Sequence, residues 1–382
     1  LIGYIESKAG TVRANHYHPI QEQKCLLVKG KYVSVLKDLS DPNAVVETNL
    51  IVAGDLAVIK PNVAHTMVFL EDSVFLNLVR GEREHENYGV THTIYYELVD
   101  EAFRKEIVEN YKDKCRVSGE SNLETILSLG MSPLANNLLE SSDQPDEKFP
   151  LQINFNPKTC NVQLSHLVDR EKMFDNYLYV SSTTEVFKKH FSDFAEKIVN
   201  ERKLNSDSFV IDVGSNDGVF LEPLKNLGVK VCGVEPAKNL ASMANEKGVR
   251  TINGYFEDRE TLTEIKNKAD VITAFNVFAH SDNLKQITSN AFDLMKPGGV
   301  FIIEVQYLLD TMKDLTFDNI YHEHYNYWSV LSLQKFFETM NLTINSVEHV
   351  NTHGGSIRVY LKNGNIKVEN NVKSLLREED NF

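Results

Sequence analysis

The chain has 382 residues, enough for two or three domains with full cores, and its 42% apolar and 25% charged residues are the balance of an ordinary globular protein. A formal net charge of −14, from 40 Lys and Arg against 54 Asp and Glu, excludes the concentrated basic face of a nucleic-acid binder. No apolar run approaches the ~20 residues of a membrane span and no signal peptide opens the sequence, so the cytoplasm is the expected compartment and no membrane partner is expected. Four scattered cysteines, Cys25, Cys115, Cys160 and Cys232, suggest no disulfide framework.

Residues 1–100 hold short β-rich runs between turn signals. CLLVKGKYVSVLKDL and GDLAVIKPNVAHTMVFL alternate apolar with polar residues, as half-buried strands of a sandwich or barrel do. Residues 101–203 are mixed, with a helix near Glu101–Tyr111, a loop over 140–150 and a helix near Thr184–Arg202. From 204 to 365 strand and helix alternate, which implies a mostly parallel sheet. Strands are expected at FVIDVG (209–214), KVCGVEP (230–236), DVITAFNVF (270–278) and VFIIEV (300–305), with a helix over Asn283–Met295 closed by the turn KPGG. The last two apolar runs, LTINSVEHV and SIRVYLK, have no helix between them and pair as a hairpin. Residues 366–382, helical around 372–378, read as the start of a further domain. The chain opens inside a strand and stops just after that helix, so both ends read as cut from a longer protein. The fold class expected is α/β, a doubly wound Rossmann-like sheet preceded by an all-β barrel and a small mixed lobe.

Asp212, Val213, Gly214, Ser215, Asn216, Asp217 and Gly218 follow a strand and open a helix. Gly214 permits the tight turn and Gly218 a close approach to a cofactor. The next strand ends at Glu235, where a carboxylate can accept both hydroxyls of a ribose. A dinucleotide enzyme shares these features, but DVGSNDG lacks the GxGxxG spacing that frames a pyrophosphate. Asn276, in FNVFAH, is assigned to the same cofactor site, and His280 closes that string at a strand end facing the ligand crevice.

Tyr321, His322, Glu323 and His324 are consecutive in FDNIYHEHYNYWS. The zinc motif HExxH does not fit, because the spacing is HEH. On an extended segment His322 and His324 share a face and can chelate a metal. General base catalysis is the better use: one group removes a proton while its neighbours hold the resulting anion.

Residues 112–382 resemble the sugar-nucleotide carbon methyltransferases that act on dTDP-linked 4-keto-deoxyhexoses. The strings that carry the resemblance are MSPLANNLL (131–139), MFDNYLYVSS (173–182), IDVGSNDGVFLEPL (211–224), GVEPAKNLA (233–241), AFNVFAH (274–280), FDNIYHEHY (317–325) and THGGSIRVY (352–360). The parallel strands ending in a hairpin likewise resemble the class I methyltransferase sheet. The resemblance implies S-adenosylmethionine as cofactor, bound by Asp212, Gly214, Ser215, Asn216, Asp217, Gly218, Glu235 and Asn276. It implies His324 as the base, with Tyr321, Glu323 and His280 around the sugar and its enolate, and Tyr179 contacting the site from the lobe. Its small zinc domain, built from two CxxC pairs, is not matched: Cys115 stands alone, with Ser118, Asn156 and Thr159 at the other positions and Cys160 one residue displaced. The structural zinc is therefore expected to be absent.

In the first region Gly10, His16, His18, Glu22, Gly30, Gly54, Pro61 and His65 resemble the two cupin motifs, although seven residues separate Glu22 from Gly30, one more than usual, and Val63 replaces a glycine. The implied metal ligands are His16, His18, Glu22 and His65, a set that suits Fe, Mn, Ni or Zn. RANHYH also resembles cupins of nucleotide-sugar pathways, which implies epimerase, isomerase or binding work on the same sugar, and a cupin offers a dimer contact. Two rival readings stand beside carbon methylation: a sugar-nucleotide binding or scaffold module with a decayed transferase, and a cupin-driven sugar isomerase.

Overall fold

The computed structural model describes residues 2–79, 93–139, 141, 147–174, 177, 180–352, 354–362 and 367–382. The N-terminal part is all-β. Strands Glu47–Val52, Lys31–Asp38, Val63–Phe69, Val12–Tyr17 and Ile94–Tyr95 form one sheet in that spatial order, and Ile2–Ser7, Ser73–Val79, Gln23–Lys29 and Leu56–Ile59 form a second. Side chains alternate across a strand, so one face of each sheet is buried. Cys25, Leu27, Tyr32, Met67, Phe69 and Phe75 fill the interior. The outward face of the four-stranded sheet is also apolar. Its register lines up Ile2 with Leu78 and Tyr4 with Leu76, and sets Leu26 between Leu76 and Leu56. Ile2 is 71% exposed and Tyr4 65%.

The lobe that follows is an antiparallel sheet of Glu124–Pro133, Lys148–Asn156, Asn161–Leu164 and Asn326–Tyr327. Its last strand comes from far down the chain, with Val162 opposite Tyr327 and Gln163 opposite Asn326. The loop expected over 140–150 falls largely outside the described residues, and its end is already strand. Buried Lys31 ties the N-terminal part to the lobe: its ammonium donates to the Tyr111 hydroxyl at 3.1 Å and pairs with Glu71 at 3.2 Å.

The remaining sheet has seven strands, ordered Thr251–Asn253, Lys230–Glu235, Phe209–Val213, Ala269–Phe275, Met295–Gln306, Ser356–Lys362 and Ile344–Val350. The first five are parallel, and the last two form the antiparallel hairpin the sequence implies. The central parallel strands Phe209–Val213 and Ala269–Phe275 are almost wholly buried because helices cover both faces. One covering helix, Glu185–Arg202, is capped by Thr184, which accepts the Phe187 amide, and it buries Phe191, Phe194, Ala195 and Ile198 on one stripe. KPGG differs from expectation. Helix Leu284–Leu294 stops before it, and Lys296 to Gly299 run inside strand Met295–Gln306, with Gly298 at φ +77° absorbing the irregularity. Helix Asn370–Asp380 packs on this unit: Val372 joins its core and Glu379 accepts the amides of Val330 and Leu331 at 2.6 and 3.0 Å. No helix among the described residues is long and apolar enough to cross a membrane.

Candidate active site

The chain reverses its direction of travel across the seven-stranded sheet on either side of Phe209–Val213, and ligands of open α/β sheets bind at the carboxyl ends of strands at such a point. A cavity of about 680 Å³ opens there, walled on one side by strand ends and on the other by the lobe.

At the strand ends the turn after Val213 is held by left-handed residues, Gly214 at φ +63° and Asn216 at φ +50°. A Cβ on Gly214 would lie 2.3 Å from a methyl of Val277, so only glycine fits. Glu235 is buried and accepts the amides of Asn216 and Ala237 at 2.8 and 2.9 Å. Burial nevertheless raises its carboxyl to about 7, and burial raises that of Asp212 to about 7 against the 2.5 Å hydrogen bond from Thr273. Asn276, left-handed at φ +55°, faces the same cavity with its side-chain oxygen unpaired in the protein.

At the other end lie His280, Tyr321 and His324, all lining the cavity. Nδ1 of His324 is 2.7 Å from the carbonyl oxygen of Asn319. A carbonyl only accepts, so this nitrogen carries the proton and Nε2 presents its lone pair. The Tyr321 hydroxyl reaches Nε2 at 3.1 Å. The His280 ring is 5.0 Å from that of His324 and stacks on Phe174 of the lobe.

Several expected residues take other places. Glu323 does not line the cavity. It lies behind the wall, accepting from Asn136 Nδ2 and from the Tyr177 hydroxyl, each at 2.5 Å, and it is Asn136 and Tyr177 that face the ligand space. His322 turns into the lobe, with Nε2 at 3.3 Å from the Phe149 carbonyl, because residues 321–324 form a turn, closed by the His324 amide on the Tyr321 carbonyl, rather than an extended segment; it shares no face with His324. Asp217 is buried away from the cavity against Lys247 at 2.6 Å, and Gly218 packs on Val249 and Ala244. Asp212, Gly214, Ser215, Asn216, Glu235 and Asn276 all line the cavity. Tyr179 lies outside the described residues. The sequence reading missed Asn136 and Tyr177, although both stand in the matching strings MSPLANNLL and MFDNYLYVSS.

A second cluster lies in the N-terminal part. His16 and His65 are paired across neighbouring strands, and the donor atoms of His16, His18 and His65 all lie within 4.8 Å of one another. Burial lowers His16 to about 4 and His65 to about 3, which leaves both neutral with lone pairs available. Glu22 is outside this cluster. It pairs with Lys24 at 3.2 Å on the surface, because the strand that faces inward starts one residue later, and Gln23 reaches His18 instead. Three imidazoles gathered this closely are a donor set that fits a divalent transition metal. Among the described residues they are the one such group.

Residues 186–347 match the family model described as "Methyltransferase domain". Over these residues the chain is similar to methyltransferases. Residues 115–174 match a second model, "Putative zinc binding domain". The chain is similar to the C-methyltransferase NovU of Streptomyces niveus, 34% identical over 252 residues that cover 65% of this chain and 60% of NovU, so it spans about three fifths of that relative's length. Among solved structures, the PH0226 protein of Pyrococcus horikoshii is 15% identical, covers 51% of this chain and 98% of its own, and has a TM-score of 0.40. The capsular polysaccharide assembling protein CapF of Staphylococcus aureus is 21% identical, covers 25% of this chain and 28% of its own, and has a TM-score of 0.22.

Within the lobe the positions that match the zinc model hold a hydrogen-bonded chain. The Cys115 thiol meets Thr159 Oγ1 at 3.3 Å, Thr159 donates to Asn156 Oδ1 at 3.1 Å, and Asn156 donates to Asn122.

Proposed function

We propose that this methyltransferase transfers a methyl group to the carbon beside the ketone of a 4-keto-deoxyhexose carried on a nucleotide, dTDP being the expected carrier. The observation that carries the reading is the fixed tautomer of His324, whose basic nitrogen faces the same cavity as Glu235 and Asn276. S-adenosylmethionine supplies, when bound, a methyl group already activated on a positively charged sulfur. Glu235 accepts the ribose hydroxyls, and the turn at Gly214 to Asn216 holds the amino-acid end. Tyr321 turns its hydroxyl from Nε2 to the keto oxygen, which frees Nε2 of His324 to take the proton from the neighbouring carbon. The enolate oxygen is then held by hydrogen bonds from Tyr321 and His280, and the carbanionic carbon attacks the methyl as the carbon–sulfur bond breaks. Similarity to NovU, a C-methyltransferase by name, supports carbon as the acceptor.

The test has two stages. Calorimetric titration with S-adenosylhomocysteine should give micromolar binding that Glu235→Ala removes. Incubation with dTDP-4-keto sugars should give methylated product by mass spectrometry, and none with His324→Gln. Binding without transfer to any keto sugar would turn the reading toward the scaffold role.

The three-histidine cluster favours a second site in the same chain, a cupin holding Fe, Mn, Ni or Zn and working on the same sugar by epimerisation or isomerisation. The chain is further proposed to dimerise through the apolar outer sheet. Its exposed side chains cover on the order of several hundred Å², the scale of the ~800 Å² per partner in a stable interface. Glu6, Val74 and Lys29 share one row, so a two-fold axis along Ser73–Val79 sets each charge against its opposite in a second copy. Four free thiols fit a reducing, cytoplasmic setting.

A further inference from the structure

The carbonyl that fixes the tautomer of His324 belongs to a segment with little apolar packing. Leu315 is 77% exposed and Phe317 72%, and the segment's packing on the lobe core comes from Ile320. Local bonds shape the turn: the Asn319 amide donates to the Thr316 carbonyl at 3.1 Å and the Ile320 amide to that of Phe317 at 2.9 Å. The Asn319 side chain adds a longer reach. Its Nδ2 donates to Thr316 Oγ1 at 3.2 Å, and its Oδ1 accepts Nε2 of Gln306, also at 3.2 Å. The bond from Gln306 ties the turn to the sheet.

Gln306 ends strand Met295–Gln306, and that strand end is a firm anchor. Two residues earlier, Glu304 is wholly buried, with its carboxylate held by Arg358 Nη2 at 2.6 Å and His190 Nε2 at 2.9 Å. Its backbone carbonyl accepts the amide of Asn276 at 2.8 Å. One strand end therefore carries Asn276 on the proposed cofactor side and, through Gln306 and Asn319, His324 on the other. Gln306 itself lines the cavity.

We infer that Gln306 is a positioning residue for the base: by holding the Asn319 side chain it keeps the Asn319 carbonyl on Nδ1 of His324, and so keeps the lone pair on Nε2. The inference rests on the reading of His324 as the base. A carboxylate at position 306 preserves the tie, because Asn319 turned over offers it Nδ2 and accepts the Thr316 hydroxyl through Oδ1. A leucine of similar size breaks it.

The test reads the tautomer apart from turnover. Nitrogen NMR of the whole chain with labelled histidines, the His324 signal being identified by its loss in His324→Gln, should show wild type protonated on Nδ1. Gln306→Leu should raise the Nε2-protonated form about three- to tenfold and lower kcat on the dTDP-4-keto sugars by about the same factor, with KM within twofold. Gln306→Glu should restore both. Asn319→Ala should reproduce the leucine variant, and serves if that variant does not fold; the two changes together should cost no more than either alone. An unchanged tautomer in Gln306→Leu and Asn319→Ala would overturn the inference, whatever the rates. A glutamate variant as slow as the leucine variant, with the wild-type tautomer, would show Gln306 acting on the ligand directly and would overturn it too. A shifted tautomer with undiminished transfer would instead remove His324 as the base, and the inference would fall with that reading while the tie itself stood.

Discussion

The ring of His324 is tied to the backbone of Asn319 by a 2.7 Å hydrogen bond from Nδ1, and that bond decides which nitrogen can act as a base. His324→Gln preserves a polar side chain without a usable basic site. Methyl transfer is expected to fall by about 10²- to 10⁴-fold, the usual weight of a general base. Solvent deuterium exchange at the carbon beside the ketone should be lost with it, while S-adenosylhomocysteine affinity stays within twofold. Retained exchange in the variant would assign the base elsewhere.

In the proposed mechanism Glu323 acts one step removed, as a positioning residue. Its two oxygens take hydrogen bonds from Asn136 and Tyr177, which reach it from two parts of the lobe. Glu323→Gln turns one of these bonds into a donor–donor clash and should cost about 1–3 kcal/mol of stability. The turnover rate should fall more than sugar binding weakens. Tyr177→Phe added to Glu323→Gln should cost less than the sum of the two single changes, measured by denaturant melts and initial rates.

The pair Asp212 and Glu235 makes the proposed cofactor end of the cavity pH-sensitive. Their ordinary values are 3.8 and 4.5, and both are raised to about 7 in the folded protein. The folded state therefore holds more protons than the unfolded state between about pH 4 and 7, and their contribution to stability falls as pH rises through that window. Cofactor-free protein should show a difference in Tm between pH 5.5 and 8 that shrinks in Glu235→Gln. Ribose hydroxyls and the sulfonium favour the ionised carboxylates, so binding at pH 7 should release protons. Calorimetry in buffers of different ionisation enthalpy measures that release directly, and affinity should weaken on acidification from pH 8 to 6.

Gly214→Ala meets two obstacles, the left-handed backbone and the Val277 methyl 2.3 Å from the new carbon. Together they should cost about 2–4 kcal/mol and abolish adenosylhomocysteine binding. Val277→Ala in the same chain should recover the steric part and leave the backbone part, a partial rescue visible in thermal melts.

The dimer proposal is checked by light scattering. Leu76→Lys, at the centre of the apolar sheet face, should convert dimer to monomer with the thermal melt of the N-terminal part little changed. A wild-type monomer at tens of micromolar would end the proposal.

The seven-stranded sheet was legible because its strands are mostly apolar runs such as FVIDVG and VFIIEV, each broken by a single carboxylate, and because helix Glu185–Arg202 announces itself with Thr184 and a 3.6-residue apolar stripe. Glu235 and His280 were legible for a related reason, since each ends a strand or follows one closely, and strand ends face the crevice. What stayed hidden depends on direction rather than identity. Asp217 follows Asn216 directly, yet the left-handed turn sends one to the cavity and the other to Lys247. Asn136 and Tyr177 meet Glu323 only through tertiary folding, across 187 and 146 positions of sequence. Gln23 had left a trace: the gap from Glu22 to Gly30 is one residue too long, and counting from Gln23 restores it. A strand that begins one residue later reverses which of two neighbours faces inward.

The two-residue strand Asn326–Tyr327 carries a consequence for the order in which the protein is made. The lobe's first three strands leave the ribosome long before their fourth, and at about 5–20 residues per second the wait runs to roughly ten seconds or more. For most of it the edge of Asn161–Leu164 stands open and the turn that bears His324 has not yet been made. Cavity wall and lobe close in one late event, so a nascent chain stalled before Tyr321 would hold the finished turn at Gly214 without His324, the residue proposed as base.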